Sequence, residues 1–207
     1  RGDSLVESRQ MANDPKDDEL VDLDFTGVFK VEELRPEPPP PPPKKMPEEF
    51  VIGAKAMKKG SSFINMARAR PARKVDPAKT SILLVEDDKT TRIILDMICK
   101  KAGFQTRQAA DAATFLAAMN KPPLPDAVVL DIELPNNVSG FKILSKMRDH
   151  PVLKKIPVVV VTVRSEPEDL MQAMNLGADA YLTKPAKSQE FLEAIHKVLG
   201  AVPAAKS

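Results

Sequence analysis

Cysteine is nearly absent from this 207-residue chain: Cys99 stands alone. A single thiol excludes an intrachain disulfide and a thiolate metal cluster, and it fits a reducing compartment. Long apolar runs are missing too, since none approaches the ~20 residues that a membrane-spanning helix needs. The N-terminus carries no signal-peptide apolar core. The opening tetrapeptide "RGDS", which resembles an integrin-binding sequence, is therefore set aside. The first residue is Arg1, and Met11 is a candidate natural start. Together these absences lead us to expect a cytoplasmic protein with no membrane span. Net charge is also small, at +2, so only its distribution is informative.

That distribution changes sharply along the chain. Arg1 to Pro43 carries 5 basic and 11 acidic residues, whereas Lys44 to Thr80 carries 10 basic and 3 acidic. Of the 20 prolines, 11 lie before residue 80, including the run Pro38 to Pro43. Six consecutive prolines favour an extended left-handed helix, a stiff spacer of roughly 3.1 Å per residue. Such composition buries too little apolar surface to offset chain entropy. Residues 1–79 are therefore expected to be a largely disordered segment or linker. Two islands within it, Leu20 to Leu34 and Glu49 to Arg70, could order on a partner. The basic stretch has no DNA-reading motif, so nucleic acid is not an expected partner and no conventional DNA-binding output domain is foreseen.

After residue 80 the pattern becomes regular. "SILLV" (81–85), "QTRQA" (105–109), the apolar centre of "PDAVVLDIELP" (125–135), "IPVVVVTV" (156–163) and "AYLTKP" (180–185) read as five strands. Between and after them, 90–103, 111–120, 139–149, 167–178 and 188–200 read as helices, with Asp111 as an N-cap and Gly103 and Gly177 as stops. In the first helix Ile94, Met97 and Ile98 share helical spacing, and Cys99 is expected in the core. Strands of nearly pure Val, Ile and Leu alternating with helices imply a parallel sheet covered on both faces. The fold class is α/β, a five-stranded doubly wound sheet over residues 80–201, with a short tail at 202–207. In such sheets the site lies beyond the carboxyl ends of the strands.

Those ends carry a concentrated set of polar groups. The first strand runs into Glu86, Asp87 and Asp88, the third into Asp131, the fourth into Thr162 and the fifth into Lys184. Two like charges ~4 Å apart repel by about 4 kcal/mol at an effective dielectric near 20. Clustered carboxylates therefore call for a compensating cation. Lys184 offsets one charge. Oxygen-only ligation without His or Cys suits Mg²⁺, with Mn²⁺ as a substitute. Asp131 then has the chemistry of a nucleophile toward phosphorus. Asp88 is better placed to begin the following helix than to bind a metal.

The motifs "LLVEDD", "VVLDIELPNNVSG", "VVVTV" and "YLTKP" together resemble the bacterial two-component response-regulator receiver domain of the chemotaxis-regulator type. The resemblance spans roughly Thr80 to Gly200. It implies a flavodoxin-like (βα)5 fold with strand order 2-1-3-4-5. It implies Asp131 as phosphoacceptor, with Thr162 and Lys184 engaging the phosphoryl group. The metal ligands would be Glu86, Asp87, Asp131 and the backbone carbonyl of Glu133. Thr162 and Tyr181 would form the switch, and the Lys184–Pro185 bond would be cis. Glu133 and Arg164 would flank the hydrolytic water, and an ion pair between them would tune the rate. Such a protein is a signalling phosphoacceptor that catalyses only its own phosphotransfer and dephosphorylation. The implied partners are a histidine kinase or phosphotransfer protein, a downstream protein, and a second copy through the helix 4–strand 5–helix 5 surface. An inhibitory role for the acidic island Leu20 to Leu34 on that surface is a further expectation. Two departures from the family pattern stand out: an extra residue at "NNVSG" and the branched Val163 after Thr162. The alternative readings are a receiver fold that has lost its chemistry and a docking module independent of phosphorylation.

Overall fold

A computed structural model describes residues 61–201. Expectations about residues 1–60 and 202–207, including the acidic island, the polyproline run and the tail, lie outside the described residues.

Six strands form one sheet: β1 (Ser62–Ile64), β2 (Ser81–Val85), β3 (Gln105–Ala109), β4 (Ala127–Leu130), β5 (Val158–Thr162) and β6 (Ala180–Thr183). Five helices connect or follow the last five strands: α1 (Lys89–Lys101), α2 (Ala112–Met119), α3 (Gly140–Asp149), α4 (Pro167–Asn175) and α5 (Ser188–Leu199). The order across the sheet is β1-β6-β5-β4-β2-β3. Strands β2 to β6 pair in parallel and reproduce the predicted 2-1-3-4-5 order.

The period of two in each strand sorts side chains to opposite faces. Leu83, Val85, Val128, Leu130, Val158 and Val160 pack with α2, α3 and α4 through Phe115, Ile143, Leu144, Met147, Leu170 and Ala173. Ile82, Leu84, Val129, Val159 and Val161 pack with α1 and α5 through Leu95, Cys99, Phe191, Ile195 and Leu199. Two apolar layers therefore hold the sheet between helices, as near-continuous apolar strands require.

Two expectations need correction. The sheet has a sixth strand. Residues 61–79, read as linker, are ordered on the domain: β1 pairs antiparallel with β6, with Phe63 opposite Tyr181. The Pro-rich average of the first 79 residues hides "SFI", which needs no strong propensity of its own because the exposed β6 edge supplies its hydrogen-bond ladder. Second, the buried face of α1 is not the Ile94–Met97 stripe. Ile93, Ile94 and Met97 are exposed, and Leu95, Asp96 and Cys99 face inward. Asp96 is tolerated there because Thr106 Oγ1 and Lys100 Nζ donate to its carboxylate at 2.5 and 2.8 Å. β1 also lies along the β6 edge, beside the helix 4–strand 5–helix 5 surface expected to pair two copies.

Candidate functional site

The carboxyl ends of β2, β4, β5 and β6 converge because parallel strands share one direction. The hydrogen bond of Asp131 N–H to Val85 O, at 2.9 Å, sets the first two ends in register. Lys184 N–H donates to Thr162 O at 2.8 Å and ties the last two together. The result brings Glu86, Asp87, Asp131, Thr162 and Lys184 to one end of the sheet, as the sequence predicted.

Lys184 Nζ lies 2.5 Å from Asp131 Oδ2 and 2.7 Å from Glu86 Oε2. Glu86 and Asp131 are buried and Asp87 is exposed, and one carboxylate oxygen from each lies within 4.8 Å of the others. This donor set is all oxygen, open to solvent on one side and net negative even after Lys184 is counted. It fits a hard divalent cation with part of its water shell retained.

Burial pushes the Glu86 carboxyl up to about 7; Lys184 opposes that rise, while Asp131 and Asp87 add to it. Burial alone would lower the Lys184 ammonium, but Asp131 and Glu86 outweigh it and the net shift is upward. The two buried carboxylates thus hold one ammonium firmly and still carry excess negative charge.

The surrounding turns are built by local sequence. Asp88 caps α1, its Oδ1 accepting from Thr91 N–H at 2.7 Å, in the role predicted for it. Arg92, one turn into α1, donates to the carbonyls of Glu86 and Asp87 at 2.5 and 3.0 Å. It fixes the backbone of the acidic turn, a contribution the sequence reading missed. An arginine six residues after the first acid was its only signal.

Beyond β4, Glu133 is exposed, and its N–H reaches Asp131 Oδ1 at 3.2 Å. In the "NNVSG" loop Asn136 and Asn137 both adopt positive φ, 61° and 58°. Val138 N–H closes that turn onto Pro135 O at 3.3 Å. Asparagine tolerates the left-handed region better than other non-glycine residues. Gly140 starts α3 against the end of β4, and a Cβ there would meet Asp131 O at 2.1 Å.

Thr162 is fully buried. Arg164 N–H approaches its Oγ1 at 3.4 Å, and Val163 beside it is exposed. Tyr181 is also fully buried, with its hydroxyl donating to Arg164 O at 2.9 Å. The expected Glu133–Arg164 ion pair is not the one Arg164 makes. Its guanidinium binds the buried Asp169, with Nη2 at 2.6 Å from Oδ1, and stands over the Phe141 ring. Asp169 lies in the first turn of α4 and is the nearer carboxylate. Glu133 acts on Arg164 only at longer range. The Lys184–Pro185 bond is cis, as the resemblance implied.

Comparison with known proteins decides the family. The response regulator receiver domain model matches residues 82–196. The chain belongs to that family. Its receiver domain is 34% identical over 118 residues to the phosphate regulon transcriptional regulatory protein PhoB of Escherichia coli, covering 57% of this chain and 51% of that protein. It is 36% identical over 119 residues to the transcriptional regulatory protein GltR of Pseudomonas aeruginosa, covering 58% of this chain and 48% of that one. The chain thus spans about half the length of the curated relatives it matches. Among solved structures, a response regulator from Chloroflexus aurantiacus matches with TM-score 0.55 and 30% identity, covering 58% of this chain and 97% of that one. A CheY-like receiver from Methanospirillum hungatei gives TM-score 0.53 and 28% identity, with coverage of 58% and 93%. The matched receiver begins near β2, so β1 and the segment joining it to β2 lie outside the family match. Among the described residues no helix is long and apolar enough to cross a membrane.

Proposed function

We propose that this receiver domain accepts a phosphoryl group on Asp131 from a phosphohistidine donor in a Mg²⁺-dependent reaction and uses the modification to change partner binding. The observation that carries this reading is the single ammonium of Lys184 shared between Asp131 and Glu86 within a cluster of three carboxylates. A degenerate receiver has no need to maintain that charge density.

An Asp131 carboxylate oxygen forms the new P–O bond as the donor's P–N bond breaks and the imidazole leaves with the electron pair. Mg²⁺, held by Glu86, Asp87, Asp131 and the carbonyl of Glu133, would supply charge neutralisation for the phosphoryl oxygens. Lys184 stands within reach of the same oxygens and moves from carboxylate to phosphoryl partner as Asp131 loses its free charge. The Thr162 hydroxyl donates to another. Exposed Ile93, Ile94 and Met97 on α1, next to the acidic turn, offer an apolar face on which a donor protein can dock.

The test is incubation of the full chain with Mg²⁺ and acetyl phosphate or beryllofluoride, beside Asp131→Asn. A Mg²⁺-dependent adduct in the parent and none in the variant is expected. No adduct in either would favour a docking module that works without phosphorylation.

A further inference from the structure

The segment leading into the receiver domain is held more firmly, and nearer the site, than a linker needs to be. Its first described residue, Ser61, sits at the site end of β6. Ser61 N–H donates to Thr183 Oγ1 at 3.0 Å, and Thr183 N–H returns a bond to Ser61 O at 3.0 Å. Thr183 directly precedes Lys184 and is the register partner of Thr162. Phe63, opposite Tyr181, packs into the same apolar cluster as that ring. Ile64 packs into the cluster on the other face.

At the far end of β6, Asn65 N–H reaches Asp179 O at 2.9 Å and its side-chain amide reaches Ala178 O at 3.1 Å. Arg68 pairs with Asp179. Arg73 then donates from Nε to Leu199 O at 2.9 Å and from its backbone to Gly200 O at 2.8 Å. Gly200 accommodates this crossing: a Cβ there would meet Pro71 O at 2.5 Å, and its φ of 71° already disfavours a side chain.

We infer that residues 61–73 form a strap whose docking on the β6 edge is coupled to phosphoryl engagement at Asp131. The inference rests on the phosphoacceptor reading above. Tyr181 connects the two. Its hydroxyl holds Arg164 O, Arg164 N–H approaches Thr162 Oγ1, and Phe63, opposite Tyr181 in the sheet, packs into the same apolar cluster. A phosphoryl group that draws the Thr162 hydroxyl toward Asp131 draws the 162–164 turn with it. That turn is held by the hydroxyl of the buried Tyr181, and the docked strap packs beside that residue through Phe63. Coupling of binding free energies is reciprocal. Charging Asp131 therefore tightens the strap, and the docked strap raises affinity for the phosphoryl group. The chain N-terminal to residue 61 joins the domain at the rim that carries the site. The strap also reserves the β6 edge for the chain's own strand, which excludes other strands from adding there.

Tyr181 is the single tyrosine and the chain has no tryptophan, so intrinsic fluorescence reports this ring alone. The experiment uses the full chain, with Mg²⁺ and beryllofluoride as the phosphoryl probe, and compares the parent with Phe63→Pro, which cannot donate to the ladder, and Phe63→Leu, which can. Beryllofluoride binding should slow amide exchange at residues 61–65 of the parent. Phe63→Pro should raise acrylamide quenching of Tyr181 and weaken beryllofluoride binding roughly tenfold, within the usual range of coupling between sites; Phe63→Leu should restore most of both. Bound beryllofluoride with unchanged or faster exchange in the parent overturns the coupling and leaves the phosphoacceptor reading standing. Unchanged affinity in Phe63→Pro, with its strap shown open by exchange, does the same. A parent that binds no beryllofluoride overturns both.

Discussion

At Glu86 the site departs far from ordinary solution chemistry. This residue is 1% exposed and must share Lys184 with Asp131. Burial and the neighbouring acids raise its carboxyl from 4.5 to about 7 despite that ammonium. An acid whose folded value is raised makes the native state bind more protons than the unfolded chain across the interval, so stability falls as pH rises through it. In metal-free protein the Glu86 charge should cost stability above about pH 7, and the cost should vanish as pH falls toward 4.5. Glu86→Gln keeps an acceptor for Lys184 and removes the charge. Without divalent cation it should be more stable than the parent at pH 8 by about 1–3 kcal/mol, with the gap closing toward pH 5. Urea midpoints at the two pH values check this. On the proposed Mg²⁺ site, to which Glu86 would contribute a carboxylate, the order should reverse in Mg²⁺. A variant no more stable than the parent at pH 8 without metal would mean that Lys184 fully neutralises the pair. The acids themselves were legible as a group from the sequence, because three in a row at the end of an apolar run have few structural uses. Their inequality was legible only for Asp88, since capping is a local property, whereas the burial of Glu86 and the exposure of Asp87 depend on the surrounding fold.

Among elements, α3 shows how strictly the end of β4 is supported. The helix begins with Gly140 tucked under Asp131, where a methyl group would lie 2.1 Å from Asp131 O and 2.9 Å from Ile132 Cα. Both are backbone atoms, so no side chain can swing away. Gly140→Ala must displace either the start of α3 or Asp131. Overpacking of this kind costs about 1–3 kcal/mol, and a backbone clash lies at the upper end. Gly140→Ala should lose about 3 kcal/mol in chemical denaturation. It should also shift the Asp131 amide resonance more than those of β3, the far strand of the sheet. Loss of stability with an unmoved Asp131 signal would place the strain in α3 alone. The sequence revealed that a helix starts here, and Ser139, whose Oγ accepts from Phe141 N–H at 3.3 Å, is a conventional cap. It could not reveal the close approach, which arises between residues nine positions apart only after the loop has closed. The misplaced stripe of α1 has a related cause. Its apolar residues occur on more than one face, so spacing alone does not choose between them. The choice fell to the face where Asp96 finds Thr106 and Lys100.

For the molecule as a whole, the five parallel strands followed from composition and handedness and their order from the family resemblance, while the sixth strand followed from neither. A three-residue strand is too short to show a period, and its partner β6 lies more than a hundred residues away in sequence. The group that joins this added strap to the rest of the domain is Asp179. Its carboxylate takes Arg68 of the strap at 3.1 Å, Arg148 of α3 at 2.8 Å and the N–H of Val158 in β5 at 2.8 Å. The two ion pairs should not contribute equally. Arg148 is well buried, with its other nitrogens bonded to Gly177 O and Ile156 O at 2.9 Å. Burial lowers its guanidinium to about 10, against the pull of Asp179. Arg68 has a side chain 34% exposed, so solvent screens its pair. Asp179→Asn should keep a neutral acceptor for Val158 but leave Arg148 as an uncompensated buried charge, at a cost of about 3 kcal/mol. Arg68→Met should cost no more than about 1 kcal/mol. A double-mutant cycle in urea then separates the fold from the strap: the Arg148–Asp179 coupling should be the larger by several-fold, and amide exchange at residues 65–68 should respond to Arg68→Met while α3 does not. Equal couplings would mean that the strap is as integral to the folded domain as α3, and that it does not dock and release on its own.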